Sequence, residues 1–329
     1  MTPPGEVTEQ VFSGLEGRPQ LLVVTDCDHP STAVEVELLE GAGFEVRVDQ
    51  CSTEEEVIAS CAGAIGLLTQ YAPITRRTLD SLPTVRAIAR YGTGLDNIDV
   101  EAAAEAGVRI VSAPDYATGE VSDHTIGLIL ALTRRIVGFD REVRLGIWDF
   151  RAGGPIHRTA TLTLGVLGLG RIGSAVARKA TSMGFAVRGF DPAVPEHQEV
   201  EIVGFDELLA SSDVVTVHVP LSDTTKHLVD RRAIQSMRPG AFLVNTSRGG
   251  VVDEEALFLG LSEGQLGGAA LDVFETEPLD PSHPLLASPN LIVTPHVGFY
   301  SEESLDELKR EVAQRLLAEI KRESGSSLG

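Results

Sequence analysis

Short apolar runs alternate with amphipathic stretches through the first third of the chain. Runs of four to six mostly apolar residues predict strands at 21–25, 44–48, 64–69, 87–91 and 108–111. Stretches with one apolar and one polar face predict short helices at 32–40, 53–60 and 75–80, with Ser52 as the cap of the second. Because strands that alternate with helices form parallel sheets, this region is predicted to be an α/β domain.

The same alternation returns in the second half of the chain. Apolar runs predict strands at 162–167, 186–190, 213–219, 241–245, 269–273 and 291–294. Amphipathic stretches predict helices at 171–183, 206–210, 230–237 and 253–263. About six parallel strands with helices on both faces would form a doubly wound sheet.

Two longer amphipathic stretches frame this second sheet. The apolar stripe over 122–146 predicts one long helix, and the stripe over 301–322 predicts a helix that returns to the first domain. We therefore expect one domain at 113–296, inserted in another that is formed by 1–112 and 297–329.

A glycine-rich motif connects the first strand and helix of the second domain. In GVLGLGRIG, the residues Gly168, Gly170 and Gly173 have G-x-G-x-x-G spacing. The first glycine permits a tight turn, the second allows a pyrophosphate to approach the backbone, and the third lets the helix pack on the strand. Its position between a strand and a helix makes dinucleotide binding the favoured function of the motif.

The residues that follow the glycines indicate which dinucleotide would bind. The helix begins at Arg171 and Ile172, whose amides lie at its positive end and can bind a phosphate. Asp191 ends the next strand, 18 residues after Gly173, where a carboxylate accepts hydrogen bonds from ribose hydroxyls and repels a 2′-phosphate. NAD is therefore expected rather than NADP, and Arg188 is expected to point elsewhere.

Composition limits the remaining classes of function. A length of 329 residues and a hydrophobic content of 43% are enough for two domains, each with its own hydrophobic core. The formal net charge of −21 argues against nucleic-acid partners. The chain lacks an 18-residue apolar run and an N-terminal apolar segment, which predicts no membrane span and no signal peptide. Residues 1–19 are predicted to be a loose arm, and the Ser/Gly tail after residue 322 is expected to fray.

Three cysteines, Cys27, Cys51 and Cys61, have no C-x-x-C spacing and are expected to be reduced thiols of a cytoplasmic protein. The sequence also lacks H-E-x-x-H and G-x-x-x-x-G-K-[ST] motifs, and its two G-x-S-x-G matches, GLSEG and GSSLG, lie at the end of a predicted helix and in the Ser/Gly tail rather than after a strand. We therefore expect neither a hydrolase of those classes nor a metal site.

Three successive strands of the second domain are followed by candidate catalytic residues. Arg248 lies in NTSRGG, Glu277 in DVFETEP and His296 in TPHVG. A guanidinium can hold and polarise a 2-keto acid, an imidazole can deliver a proton to the alkoxide, and a carboxylate can orient the imidazole. Each residue alone is more often structural, but the ends of parallel strands meet at one sheet edge. The three together predict hydride transfer between NAD(H) and a small anionic 2-keto or 2-hydroxy acid.

With these motifs the sequence resembles the D-isomer-specific 2-hydroxyacid dehydrogenases, the family of phosphoglycerate, glycerate and formate dehydrogenases. The matching stretches are GVLGLGRIG, MRPGAFLVNTSRGGVVDEEAL, GAALDVFETEP and NLIVTPHVGFYSEE. The resemblance implies two doubly wound parallel-sheet domains, a Rossmann NAD-binding domain inserted in a flavodoxin-like substrate-binding domain. It also implies a homodimer, for which the 122–146 helix region would provide the contact.

The resemblance further implies roles for particular residues. Arg248 would anchor the substrate, Glu277 would be the partner of the histidine, and His296 would be the general acid and base. The residues that would line the cofactor are Val219, Pro220, Thr225, Thr246, Ser247 and Asp272, the last near the nicotinamide carboxamide. The turn of Gly92, Thr93 and Gly94 would bind the substrate carboxylate through backbone amides.

Within the family, HVGFYSEES and the Arg248 segment most resemble the C-terminal binding proteins, which are NAD-dependent corepressors. That branch usually has tryptophan where this chain has Phe299. The Phe299 ring would either stack on the side chain of the substrate or fill the protein core. An NAD(H)-sensing interaction protein is therefore the alternative to an enzyme. The identity of the 2-keto acid stays open, with Tyr71, Arg90 and Arg158 as candidate anchors for a second anionic group.

Overall fold

The computed structural model describes residues 19–288 and 290–326 and separates the chain into two compact units. The small-sheet unit comprises Met1–Tyr116 and Glu302–Gly329, and the large-sheet unit comprises Ala117–Ser301. The large-sheet unit starts four residues after the expected boundary (117 against 113) and ends five residues after it (301 against 296). The predicted arm lies outside the described residues except for residue 19, and the predicted tail lies outside them from residue 327.

Every strand pairing in the described residues is parallel. The small sheet has the order β2-β1-β3-β4-β5, from strands β1 (Leu21–Val24), β2 (Glu45–Val48), β3 (Gly66–Thr69), β4 (Ala87–Arg90) and β5 (Arg109–Ser112). The large sheet has the order β12-β11-β10-β9-β6-β7-β8, from strands β6 (Thr163–Leu167), β7 (Ala186–Phe190), β8 (Glu201–Ile202), β9 (Val214–Val217), β10 (Ala241–Asn245), β11 (Leu266–Leu271) and β12 (Leu291–Val293). The first order is that of flavodoxin-like sheets, and the second is the Rossmann order with one further strand at its edge.

Helices connect the strands of both sheets. They are α1 (Ala33–Gly41), α2 (Glu54–Ser60), α3 (Arg76–Ser81), α4 (Val100–Glu105), α5 (Thr118–Thr133), α6 (Ile136–Arg144), α7 (Arg171–Ser182), α8 (Phe205–Ser211), α9 (Arg231–Ser236), α10 (Glu254–Ser262) and α11 (Glu302–Ser326). Short 3-10 turns occupy Thr159–Thr161, Gly249–Val251 and Pro284–Ala287. Side chains of Asp99, Asp230 and Asp253 accept hydrogen bonds from the first turns of α4, α9 and α10, which explains where these helices begin.

Each sheet is buried on both faces because its strands carry apolar side chains in both directions. In β1, the Val23 side chain lies in an apolar core with residues of α2, α3 and α4. The side chains of Leu22 and Val24 lie in a second core with residues of α1 and α11. In the large sheet, Val215 lies in a core with α8, α9 and α10, and Val214 lies in one with α5 and α7. This arrangement is the doubly wound one that the apolar runs predict.

The predicted 122–146 helix is wrong as a single helix. The chain forms α5, which begins four residues earlier at Thr118, and then α6, with Arg135 in a left-handed conformation (φ 54°) between them. The Arg135 guanidinium donates to Asn290 Oδ1 at 3.2 Å. The apolar periodicity continues through the break, so the sequence pattern carries no sign of this distant contact.

Three smaller predictions are also corrected. The cap of α2 is Thr53 rather than Ser52, because the Thr53 hydroxyl accepts from the Glu56 amide and the Glu56 carboxylate accepts from the Thr53 amide. The large sheet has seven strands in the described residues rather than six, since the two-residue β8 is too short to show a pattern. Helix α4 was not predicted, because its sequence VEAAAE has mainly small alanines on its buried face and shows no strong apolar stripe.

Candidate active site

Close backbone approaches shape the glycine-rich turn after β6. A Cβ on Gly168 would lie 2.7 Å from the carbonyl oxygen of His218, and one on Gly173 would lie 2.0 Å from the carbonyl oxygen of Gly168. The position of a Cβ on Gly170, in contrast, has nothing within 4 Å. Close packing of the turn therefore requires glycine at positions 168 and 173, whereas Gly170 borders open space.

The open space lies at the start of α7. Gly170 is the N-cap of this helix, and no side chain caps it. The first amides of a helix, here including those of Arg171 and Ile172, have no acceptor within the helix and carry its positive partial charge. This combination suits a phosphate group.

Asp191 connects the turn to the end of β7. Its Oδ2 accepts from the Leu169 amide at 2.9 Å, and its Oδ1 accepts from the Ala193 amide at 2.9 Å. A carboxylate offers about four lone-pair positions, so acceptor capacity remains for ribose hydroxyls. Arg188 instead forms an ion pair with Glu201 at 3.0 Å, which leaves Asp191 as the charged group beside the turn.

Four loops follow the carboxyl ends of the next strands. We refer to them as the β9 loop (218–230), the β10 loop (246–253), the β11 loop (272–283) and the β12 loop (294–300). The carboxyl ends of parallel strands lie at one edge of a sheet, where open α/β sheets bind their ligands.

Arg248 lies in the β10 loop and is fixed through its main chain. Asn245, the last residue of β10, donates from Nδ2 to the Arg248 carbonyl at 2.9 Å and accepts the Ser247 amide at 3.0 Å. The next residue, Gly249, approaches the β11 loop so closely that a Cβ would lie 1.8 Å from the carbonyl carbon of Phe274. The loop of Arg248 and the loop of Glu277 are therefore in direct contact.

Glu277 and His296 form a hydrogen-bonded pair. Glu277 Oε2 lies 2.7 Å from His296 Nδ1, while Glu277 Oε1 accepts from the Phe274 amide at 2.9 Å. The side chains of the pair are about one third exposed, 39% for the histidine and 35% for the glutamate. This exposure leaves the imidazole accessible from outside the protein.

The surroundings of Glu277 keep its carboxyl ionised. Partial burial raises the pKa of Glu277. The hydrogen bonds from His296 and the Phe274 amide, together with the positive charges of His296 and Arg248, lower it by more, so the pKa lies below its ordinary value. The Arg248 loop packs through Gly249 against the backbone of Phe274 and Glu275, just before Glu277 in the β11 loop. The structure thus brings together the three residues that the sequence identified as catalytic candidates.

The backbone of His296 is in a left-handed conformation, with φ of 51°. This region is unfavourable for residues other than glycine, so other contacts must hold it. The His296 amide donates to the carbonyl of Asp272 at 2.8 Å and to that of Thr294 at 3.1 Å. Asp272 therefore fixes the turn that carries the imidazole.

The Asp272 side chain supports the same turn. It is 2% exposed and accepts from the Thr294 hydroxyl at 2.5 Å, the Val297 amide at 2.9 Å and the Gly298 amide at 2.8 Å. Burial raises the pKa of Asp272, yet hydrogen bonds from His124, Thr294 and the two amides together lower it to about 2. Four donors therefore already occupy this carboxylate within the protein.

Sequence reasoning missed His124 and Thr294. His124 on α5 places Nε2 3.0 Å from the Thr294 hydroxyl and 3.5 Å from Asp272 Oδ1. Another α5 residue, Thr125, contacts the predicted cofactor residue Thr246 through their hydroxyls at 2.8 Å. Because these partners are more than 120 residues apart, no local pattern could have identified them.

The other predicted residues of the large-sheet unit lie in the same group of loops. Val219 is the second residue of the β9 loop, and its Cγ1 is 2.9 Å from the Cβ position of Gly168. Thr225 donates its hydroxyl to the Pro220 carbonyl at 2.6 Å. Phe299 packs edge-on against the His296 ring at a centroid distance of 6.2 Å.

The predicted substrate residues of the small-sheet unit lie after β3 and β4. Arg90 ends β4, and Gly92 has φ of 109°, a backbone conformation that favours glycine. Thr93 donates its hydroxyl to the Ala113 carbonyl at 3.3 Å, and Gly94 completes the turn.

Two further candidates for anchoring a second anion differ in position. The Tyr71 hydroxyl, after β3, donates to Asp28 Oδ2 at 3.2 Å. Arg158 is exposed and precedes β6, whereas the other candidates of the large-sheet unit follow strand ends. Arg158 therefore belongs to the opposite edge of the large sheet and is a poor candidate.

The residues present fit NAD. The packed glycines, the uncapped start of α7 and the carboxylate of Asp191 provide the pyrophosphate and ribose contacts that a dinucleotide needs. Within the described part of the chain, no group of three or more His, Cys, Asp or Glu side chains could hold a metal ion. None of the described helices is long and apolar enough to cross a membrane.

Comparisons with known proteins agree with this geometry. Residues 126–298, more than half of the chain, match the D-isomer specific 2-hydroxyacid dehydrogenase, NAD binding domain. A glyoxylate reductase of Korarchaeum cryptofilum is 39% identical over 80% of this chain and 81% of its own length. A D-3-phosphoglycerate dehydrogenase of Methanocaldococcus jannaschii is 38% identical over 90% of this chain, which spans only 56% of that longer protein.

A solved structure has the same fold. The crystal structure of D-lactate dehydrogenase from Aquifex aeolicus, complexed with NAD and lactic acid, matches with a TM-score of 0.83 at 27% identity, over 92% of this chain and 96% of that one. These relatives are enzymes, and the comparisons give no support to the corepressor alternative. The chain belongs to the D-isomer specific 2-hydroxyacid dehydrogenase family and is an NAD-dependent oxidoreductase that interconverts 2-keto and 2-hydroxy acids.

Proposed function

We propose that His296 is the general acid and base of this reaction, that Glu277 orients it and that Arg248 binds the substrate. The observation that carries the proposal is the 2.7 Å hydrogen bond between Glu277 and His296, with Glu277 in the β11 loop, against which the Arg248 loop packs through Gly249. A cation, a titratable imidazole and its carboxylate partner are the groups that reduction of a 2-keto acid requires.

The ionised carboxylate of Glu277 determines which nitrogen of His296 exchanges a proton. Because the carboxylate only accepts, Nδ1 of the imidazole carries the hydrogen that it receives. Nε2 is then the nitrogen that donates a proton to the carbonyl oxygen during reduction and removes it from the hydroxyl during oxidation. Arg248 holds the substrate carboxylate and stabilises the negative charge that develops on that oxygen.

The cofactor would be held by Gly168, Gly170, the start of α7 and Asp191, and when bound it supplies or accepts the hydride at the substrate carbon. Val219, Pro220, Thr225, Thr246 and Ser247 would line it, and Asp272 is proposed to lie near the carboxamide end. The saturated hydrogen bonding of Asp272 means that its main contribution is to hold the His296 turn.

We propose glyoxylate as the first substrate to test, because two of the relatives are glyoxylate reductases. The small-sheet unit is the proposed substrate domain, with Gly92, Thr93 and Gly94 binding the carboxylate through amides. Tyr71, Arg90 and Phe299 would contact the rest of the substrate. If the substrate carries a second anionic group, we propose that the Arg90 guanidinium binds it.

The test is a screen of 2-keto acids with NADH and NADPH, followed by the loss of absorbance at 340 nm. We expect turnover with at least one 2-keto acid and a rate with NADH roughly tenfold or more above that with NADPH, since Asp191 repels a 2′-phosphate. Absence of turnover with every 2-keto acid, in a protein that binds NADH, would contradict the proposal.

We also propose a cytoplasmic homodimer. The free cysteines suit a reducing compartment. Helix α6 buries none of its residues, and the segment after it exposes Trp148 (89%) and Phe150 (83%). Large exposed aromatic side chains next to an apolar helix face are typical of protein interfaces. Light scattering should give twice the mass of the chain, and the Trp148→Ser/Phe150→Ser variant should give less dimer.

A further inference from the structure

A second histidine of the large-sheet unit has the same unfavourable backbone as His296. His227, in the β9 loop, has φ of 51°, and its Nε2 lies 2.9 Å from Glu275 Oε1. Left-handed backbone at a residue other than glycine persists only where surrounding contacts hold it, and such residues concentrate at functional sites. No step of the proposed reaction uses this pair.

His227 contacts two other loops at once. Its amide donates to the Gly250 carbonyl in the β10 loop at 2.8 Å, and its side chain reaches Glu275 in the β11 loop. The chain then continues beside the β10 loop, where the Val229 amide donates to the Val251 carbonyl at 3.1 Å. One residue therefore joins the loop that lines the cofactor to the loops of Arg248 and Glu277.

The position of Glu275 makes this contact relevant to catalysis. Glu275 is two residues before Glu277, and its amide donates to Glu254 Oε1 at 2.7 Å, at the start of α10. The backbone here is also the one against which Gly249 packs, since a Cβ on Gly249 would lie 2.3 Å from the Glu275 amide nitrogen. A shift of Glu275 would therefore move the main chain that carries Glu277 and contacts the Arg248 loop.

We propose that His227 and Glu275 are positioning residues that hold the β9 loop, and with it the cofactor, in register with Arg248 and Glu277. The proposal rests on the proposed function of those two residues. The pair is partly exposed, 37% for His227 and 35% for Glu275, and an exposed ion pair adds little to global stability. Its effect should therefore appear in cofactor affinity and rate rather than in unfolding.

The experiment compares Glu275→Gln, His227→Asn and the double variant with the wild type. Asparagine tolerates left-handed backbone, so His227→Asn removes the imidazole without creating new strain. The control is Glu263→Gln, which removes the same charge from an exposed ion pair of the same unit, Arg231–Glu263 at 3.3 Å. The measurements are the NADH dissociation constant by fluorescence titration, kcat and KM for the 2-keto acid, and the melting temperature.

We expect each single variant to raise the NADH dissociation constant about threefold to tenfold and to lower kcat about tenfold, because small misplacements of reacting groups are costly. The double variant should have the same NADH dissociation constant and kcat as the single variants, because each substitution removes the same His227–Glu275 contact. Glu263→Gln should match the wild type, and melting temperatures should differ by less than about 2 °C.

Three results would overturn the proposal. They are NADH affinity within twofold of the wild type in both single variants, losses that multiply in the double variant, and equal losses in Glu263→Gln. NADH affinity is measured without turnover, so a chain that binds NADH but reduces no 2-keto acid would refute the proposed function and still test the positioning role.

Discussion

Two histidines of the large-sheet unit share a backbone conformation and a kind of partner. His296 and His227 both have φ of 51°, and they pair with Glu277 and Glu275, which are two residues apart in one loop. Their main-chain contacts differ. The His296 amide donates both to Thr294 in its own loop and to Asp272 at the start of the β11 loop, whereas the His227 amide donates only to Gly250 in the β10 loop.

This difference shows that a histidine–glutamate pair does not define a catalytic site by itself. In the His296 pair, Glu277 lies in a loop that packs against the Arg248 loop through Gly249, and the imidazole packs on Phe299. The His227 pair instead joins the β9, β10 and β11 loops. We therefore expect the surroundings of each pair, rather than the pair itself, to determine whether it moves a proton or holds the backbone.

The largest difference between the two pairs should appear when each imidazole is removed. We expect His296→Ala to lower kcat by roughly 10²- to 10⁴-fold, because it removes the general acid and base, while the NADH dissociation constant stays within twofold. The matching change His227→Ala should lower kcat only about tenfold and weaken NADH binding. Steady-state kinetics and fluorescence titration distinguish these outcomes, and a near-normal kcat in His296→Ala would remove the mechanism.

The cation beside the His296 pair provides the next test. We expect Arg248→Ala to lower kcat by roughly 10²- to 10³-fold and to raise KM for the 2-keto acid, because the guanidinium both binds the carboxylate and stabilises charge on the reacting oxygen. Arg231→Ala, which removes an exposed arginine of the same unit, is the control and should leave both constants unchanged. A change in KM alone would mean that Arg248 only binds substrate.

The support beneath His296 should appear as a dependence of stability on pH. The pKa of Asp272 is about 2 against an ordinary value of 3.8, so the ionised carboxylate stabilises the fold above pH 4, and this contribution is lost as the pH falls towards 2. The gap in pKa corresponds to about 2 kcal/mol in the free energy of unfolding. Asp272→Asn should therefore be less stable by about this amount at pH 7.

Urea unfolding at several pH values tests this expectation. The difference in free energy of unfolding between the wild type and Asp272→Asn should narrow between about pH 4 and pH 2, because only the wild type has a carboxyl to protonate. Asp223→Asn, at an exposed position of the same unit, is the control. A difference that does not vary with pH would show that the ionised form of Asp272 is not what stabilises the turn.

The parts of the site that the sequence predicted are those fixed by local chemistry. The spacing of Gly168, Gly170 and Gly173 followed by Asp191 depends on one strand, one turn and one helix, all continuous in sequence. Arg248, Glu277 and His296 could be grouped because each follows a strand, and parallel strands end at one edge. Burial of both sheet faces followed from apolar runs without alternation.

The parts that the sequence could not predict depend on partners far along the chain. The contact of His124 with Thr294 spans 170 residues, and the break at Arg135 depends on Asn290. Left-handed backbone at His227 and His296 has no sequence signature, since histidine rarely adopts it. These features arise only when the strands are brought together, so they had to be found in the structure.

The most direct test of the central claim, that Glu277 acts through His296, is a double-mutant cycle on the rate of a single turnover. Glu277→Gln alone should slow NADH oxidation roughly 10²-fold, since it leaves the imidazole unoriented. Because both residues act as one unit, we predict that Glu277→Gln/His296→Ala is no slower than His296→Ala. A double variant slowed by the product of the two single losses would contradict the account.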